Sequence, residues 1–205
     1  YTYDGNATIS ENLVQGNLTG GGINLTGGYA TFIVTGNFIV NNTKASDVDS
    51  GRGGGLYVSN GGPNTLTKNI ISNNTAATAG GGVYLNLYNY SGSLTDTVAN
   101  NLISGNVAPV RSALEATLSS YTPYGTNTYN LLSNTVTQNR SSNPNAAAIS
   151  ITFSGNLTFS QNNLFNNLAR YTLEYGNPNT APPLNAQNNW WGTTSTSAIQ
   201  DLIYD

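Results

Sequence analysis

Nine carboxylates and six cationic side chains carry all the charge of this 205-residue chain, which has neither histidine nor cysteine. Acid–base or metal chemistry must therefore be built without the commonest general base and without thiolate ligands. Glu115 and Glu174 each sit in the middle of an apolar–polar–apolar triplet, Leu114-Glu115-Ala116 and Leu173-Glu174-Tyr175. Arg111 and Arg170 each lie three residues before the apolar residue that opens the triplet. Two carboxylates at the right separation divide the roles of acid and base in glycoside hydrolysis, so these four are the catalytic candidates. Two solvated salt bridges are the plainer reading of the same residues.

Three further groups have chemistry of their own. Asp47-Val48-Asp49-Ser50-Gly51 has the alternating oxygen ligands and glycine of a calcium loop, but lacks the later bidentate glutamate. Asp47 and Asp49 are thus candidate Ca2+ ligands, against the simpler expectation of a solvated loop and no cofactor. Tyr57 and Tyr84 hold the same triplet position as Glu115, and flat amphipathic rings suit a sugar face. Asn-x-Ser/Thr sequons begin at Asn6, Asn17, Asn24, Asn41, Asn73, Asn89, Asn139 and Asn156. Outward-facing ones would be eligible for glycosylation.

Composition narrows the partners. A net charge of −3 with only 7% charged residues gives no basic patch for nucleic acid. No stretch approaches the roughly 20 apolar residues of a membrane-spanning helix. Low charge, many hydroxyls and no thiols point to a secreted or cell-surface protein. Without methionine, the chain is expected to be a processed form or a piece of a longer protein.

These groups are positioned by a repeat. Asparagine followed by an apolar pair recurs at Asn12, Asn37, Asn69 and Asn101, with weaker copies at Asn134, Asn163 and Asn189. The markers are 25, 32, 32, 33, 29 and 26 residues apart, a period that signals a solenoid. Three places before the marker stand Ile9, Val34, Leu66, Val98 and Leu131; the sixth repeat puts Ser160 there, or Phe159 after a one-residue slip. Two places after it stand Val14, Ile39, Ile71, Ile103, Val136, Phe165 and Trp191, an expected inward row. The residue directly after the marker is also mostly apolar (Leu13, Phe38, Ile70, Leu102, Leu164, Trp190), and the core is its favoured place over an outer stripe. A third strand follows glycine runs, as in Gly53-Gly54-Gly55-Leu56-Tyr57-Val58 and Gly80-Gly81-Gly82-Val83-Tyr84-Leu85.

Strands this short, in period-two alternation and separated by Gly, Asn and Ser, stack in parallel one coil above another. The expectation is a single all-β domain over residues 1–205, a three-sheet parallel β-helix of about seven coils. The marker asparagines would form a ladder at left-handed turns. Glu115 and Glu174 would lie two rungs, about 9.6 Å, apart. Ser197 and Gln200 have capping-box spacing for a short C-terminal helix that could cover the end of the stack.

The repeated Asn-apolar-apolar pattern, the glycine runs and Asn188-Asn189-Trp190-Trp191-Gly192-Thr193 resemble secreted right-handed parallel β-helix proteins of the pectate-lyase-like superfamily. The Gly-Gly-apolar alternation is also similar to the repeats of polymorphic outer-membrane adhesins. That resemblance covers nearly the whole chain and implies the fold, but the superfamily hosts lyases, hydrolases, adhesins and structural rods alike. Two functions stay open. One is a non-catalytic extracellular adhesive or filament-forming subunit that self-associates and contacts glycans. The other is a lyase or hydrolase acting on acidic polysaccharide.

Overall fold

The chain is described from a computed structural model over residues 5–89, 93–120, 126–176 and 183–204. The Asn89 side chain, one of the expected sequons, lies outside the described residues. One coil runs through Asn64–Thr67, Ile70–Ser72, Thr75–Ala76 and Val83–Asn89, and each strand pairs in parallel with its counterparts in the coils before and after. The first sheet stacks six strands from Ala7–Ser10 to Asn156–Ser160. The second stacks six from Leu13–Gln15 to Asn163–Phe165. The glycine-led sheet stacks seven from Ile23–Gly27 to Ile203–Tyr204.

Two expectations change. A fourth sheet joins the three, made of the two-residue strands Thr43–Lys44, Thr75–Ala76, Val107–Ala108 and Arg140–Ser141, because the corner after the second sheet straightens long enough to pair. Among the described residues, the six strands of the first sheet enclose five full turns, fewer than the seven coils counted from markers. The last marker, Asn189, adds only the bridge from Trp190 to Asn163.

Asparagine makes two ladders. In the first, the backbone N–H and Nδ2 of each residue donate to Oδ1 of the next along Asn12, Asn37, Asn69, Asn101, Asn134, Asn162 and Asn189, at 2.9–3.1 Å. The second runs in the same way five residues later, through Asn17, Asn42, Asn74, Asn106, Asn139 and Asn167. The second hydrogen of each inner amide closes onto a carbonyl of the preceding rung, as Asn101 does with Leu66 at 2.8 Å. Buried amides satisfied on all sides are what a solvent-free turn requires.

The sixth rung corrects the sequence register by one residue. Asn162, not Asn163, is the ladder member, and the strand therefore turns Leu164 inward and leaves Phe165 half-buried. Phe159 completes the inner row of Val34, Leu66, Val98 and Leu131. The residue in the left-handed region is likewise not the ladder asparagine but the one before it. Glu11, Gly36, Lys68, Asn100, Ser133, Gln161 and Asn188 precede the first ladder with φ between +55° and +68°. The second ladder follows the same rule, from Gly16 to Asn166. Non-glycine residues there cost about 1–2 kcal/mol each, so the ladders must outweigh that strain at every turn.

Each second-sheet strand points only its middle residue inward, so the neighbouring row faces out. Leu13 is 62%, Phe38 51% and Trp190 45% exposed, with Ile70 and Leu102 half-buried. The core placement of that row is therefore overturned in favour of an outer apolar stripe, except at Leu164, which the one-residue register shift turns into the core. Glycine runs let the glycine-led sheet begin against the second ladder: a Cβ on Gly55 would sit 2.8 Å from Asn74 Nδ2 and 2.7 Å from Ile71 Cγ2. At the far end, a helix over Thr196–Gln200 is capped by Ser195, whose Oγ accepts from the Ala198 N–H at 3.4 Å, in place of the Ser197 cap. Ile199, Leu202 and Ile203 pack against the core there.

An inner column of the first sheet turns polar in two successive coils. Asn64 and Asp96 pair in register between Phe32 and Tyr129, and the Asn64 N–H and Nδ2 both donate to Asp96 Oδ1. Burial outweighs those bonds and pushes the Asp96 carboxyl up to about 6 from 3.8. The fold thus favours the neutral acid, a contribution complete below pH 3.8 and lost as pH rises through about 6. The loss is on the order of 3 kcal/mol. Asp96→Asn supplies the amide oxygen without the charge, and is expected to raise the denaturant midpoint at pH 7.5 and flatten its pH dependence between 4 and 6. In urea unfolding, Asn162→Ala is expected to cost about 3 kcal/mol, whereas the exposed Asn163→Ala stays within about 0.5 kcal/mol.

Candidate functional site

The outer face of the glycine-led sheet gathers most of the residues singled out for chemistry. Its middle row reads Asn24, Tyr57, Tyr84, Glu115, Ser150, Glu174 and Tyr204, one residue per rung. Glu115 and Glu174 are two rungs apart, as the alternation requires. Arg111 stands between them, with Nη1 3.1 Å from Glu115 Oε1 and Nε 3.5 Å from Glu174 Oε2. The second contact is an ion pair without hydrogen-bond geometry. Arg52 approaches Glu115 from the other side at 3.8 Å. Arg170 stays apart and lies over the Tyr171 ring, 4.9 Å from its centroid.

Tyr57 and Tyr84 stack on each other with centroids 5.0 Å apart and planes 20° from parallel. Lys44 lies over Tyr57 at 5.4 Å and Arg52 over Tyr84 at 5.3 Å, giving a cation–ring–ring–cation column. Tyr84 is only 7% exposed and its hydroxyl accepts from Arg52 Nη1 at 3.3 Å. Burial, reinforced by Tyr84 and Asp49, raises the Tyr57 hydroxyl above its usual pKa. The two rings therefore meet each other and the flanking cations face to face, leaving edges rather than open faces for a sugar.

In the loop read as a calcium site, Asp49 Oδ2 is 2.7 Å from the Lys44 ammonium and also accepts from Asn24 Nδ2. An ammonium already in contact opposes a second cation at that oxygen. Among the described residues, no three His, Cys, Asp or Glu side chains converge as metal ligands. Of the sequons, Asn6, Asn17, Asn41, Asn73 and Asn156 are exposed. Asn139 is fully buried in the second ladder, Asn17 donates to Asn42, and Asn24 to Asp49. Burial and hydrogen bonding leave Asn139 no free amide to modify.

Sequence reasoning missed Arg52, Lys44, Tyr171 and Tyr204. Arg52 stands one residue before Gly53, and its backbone bridges Ala79, which bridges Val110 next to Arg111. Counting back from Leu56 places it at this edge of the sheet. Tyr204 extends the row because the last short strand pairs with Leu173–Glu174. There Asn145, Ala147, Tyr171, Glu174 and Tyr204 line an open pocket of about 310 Å³, with the two rings 5.1 Å apart and inclined by 38°.

A parallel solenoid with stacked asparagine turns and an outward polar row defines the class. The sequence model of the right-handed β-helix region matches residues 1–181, and the chain belongs to that family. No curated protein matches the chain, and no solved structure does.

Arg111 has φ +54° at a position where the two preceding coils carry Gly53 and Gly80, at +73° and +64°. Removing its side chain loses the same ion pairs whichever small residue replaces it. Arg111→Gly is therefore expected to be about 1 kcal/mol more stable than Arg111→Ala in urea unfolding, because only glycine takes that φ without strain.

Proposed function

We propose that this β-helix is a non-catalytic extracellular rod, an adhesive or filament-forming subunit that associates with its own kind and contacts glycans. The observation that carries the reading is the closed charge network on the glycine-led face. A catalytic carboxylate must be free to exchange a proton within reach of a bound substrate, in a site that excludes water. Glu115 and Glu174 instead share Arg111, and Glu115 has Arg52 as a second partner. The pocket beside Glu174 does not include Glu115. The face is thus electrostatically self-contained.

Contact chemistry lies elsewhere on the surface. The row from Leu13 and Phe38 through Ile70 and Leu102 is an apolar stripe on an otherwise polar, weakly charged rod, the kind of surface that proteins bury against partners. The Tyr171–Glu174–Tyr204 pocket combines aromatic surface with hydrogen-bonding groups and suits a glycan. A sparsely charged chain without thiols fits an extracellular setting.

Sedimentation of the purified protein over a wide concentration range tests this reading. Association is expected, and Phe38→Asp is expected to weaken it at least about tenfold while the β-sheet circular dichroism is unchanged. Incubation with polyuronides is expected to leave them intact. A monomer at every concentration, or polyuronide cleavage abolished by Glu115→Gln, would overturn the proposal.

A further inference from the structure

The corner where the glycine-led sheet begins holds three side chains that the adhesive reading does not use. Lys44 occupies a column of the short sheet that continues as Ala76, Ala108 and Ser141. A lysine here is only 1% exposed. Its aliphatic stem packs over Gly21, where an added Cβ would lie 3.1 Å from Lys44 Cδ. Its amine donates to the Gly20 carbonyl at 3.1 Å and to Asp49 Oδ2 at 2.7 Å. The same Asp49 oxygen accepts from the amide nitrogen of Asn24. Three successive left-handed residues, Asp49, Ser50 and Gly51 at φ +42°, +55° and +69°, hold the carboxylate in that position. One carboxylate oxygen therefore touches an amine nucleophile and the leaving group of a side-chain amide, beside the Tyr57 ring.

We propose that Lys44 and Asn24 join in an intramolecular isopeptide bond, with Asp49 as the proton carrier. Asp49 takes a proton from the Lys44 ammonium, leaving a neutral amine beside the amide. The Nζ lone pair adds to Asn24 Cγ, forming the Nζ–Cγ bond and a tetrahedral intermediate. The Asp49 carboxyl gives its proton to the Asn24 nitrogen, the Cγ–Nδ2 bond breaks, and ammonia leaves. Nζ then gives up its surplus proton to Asp49 and thence to solvent, keeping one as the N–H of the new amide. Nothing is oxidised or reduced, and no co-reactant is needed. Burial and shared contacts supply the positioning that lets an amine attack an unactivated amide. The product ties the strand Ile23–Gly27 to the short strand Thr43–Lys44 of the next rung, in a chain without cysteine for a disulfide.

Mass spectrometry of the purified wild-type protein after unfolding and trypsin digestion tests the proposal. The expected product is a peptide that ends at Arg52, is uncleaved at Lys44 and is lighter than its sequence by one ammonia. Lys44→Arg and Asp49→Ala are expected to restore the full mass, with circular dichroism reporting their fold. Cleavage after Lys44 with every peptide at full mass would overturn the proposal. A peptide lighter by one water would place the bond on Asp49 and overturn the assignment to Asn24. The wild-type mass decides between these outcomes whether or not the variants fold.

Discussion

The rod rests on hydrogen bonds between identical neutral side chains. Each inner ladder asparagine receives two N–H groups from the coil before it and sends two to the coil after it, while its own amide closes a backbone carbonyl of the preceding rung. Nothing else in the molecule could fill these positions as economically. A carboxylate could accept but not donate, and a serine could not bridge two rungs while closing a carbonyl. The two ladders, five residues apart, clamp both ends of each three-residue strand in the second sheet. They fix its single inward residue between them, and so they fix the register of the whole stack.

That constraint explains several features that otherwise look unrelated. Tight left-handed turns before each asparagine require strained backbone from residues as different as Lys68, Ser133 and Gln161. The glycine runs exist because the glycine-led sheet must start against the second ladder with no Cβ in between. The stack needs hardly any charge, so its few buried ionisable groups stand out. Asp96 takes a place where an asparagine would do, and Lys44 takes one that alanine fills in the next two coils. The first makes the stack pH-sensitive, and the second brings a nucleophile to an amide.

Much of this architecture was legible in the chain because stacking repeats the same requirement at every coil. The markers from Asn12 to Asn134, the inner row from Val34 to Leu131 and the outward row from Asn24 to Glu174 all follow from period-two alternation around one recurring residue. Register failed at Asn162-Asn163, where adjacent asparagines offer two phases and only the packing of Leu164 and Phe159 chooses between them. Adjacent asparagines at Asn41-Asn42 and Asn73-Asn74 offer the same two phases for the second ladder, and the stacking selects Asn42 and Asn74. The candidate site was legible as a row but not as a network. Alternation places Glu115 and Tyr84 on one face, whereas the approach of Arg52 and Lys44 depends on loops whose path no periodicity encodes. The outer apolar row was misplaced because hydrophobicity alone suggests burial, while a three-residue strand can turn only its middle residue inward.

Exchange of side-chain amide protons with deuterium, followed by NMR, tests the ladder account most directly. The Nδ2 protons of Asn69, Asn74, Asn101, Asn106 and Asn134 should be protected as strongly as the backbone amides of the neighbouring strands, since both open only when coils separate. Asn163, exposed beside the ladder, should exchange rapidly. Rapid exchange throughout the ladder positions, with the backbone still protected, would contradict the claim that these amides hold the coils in register.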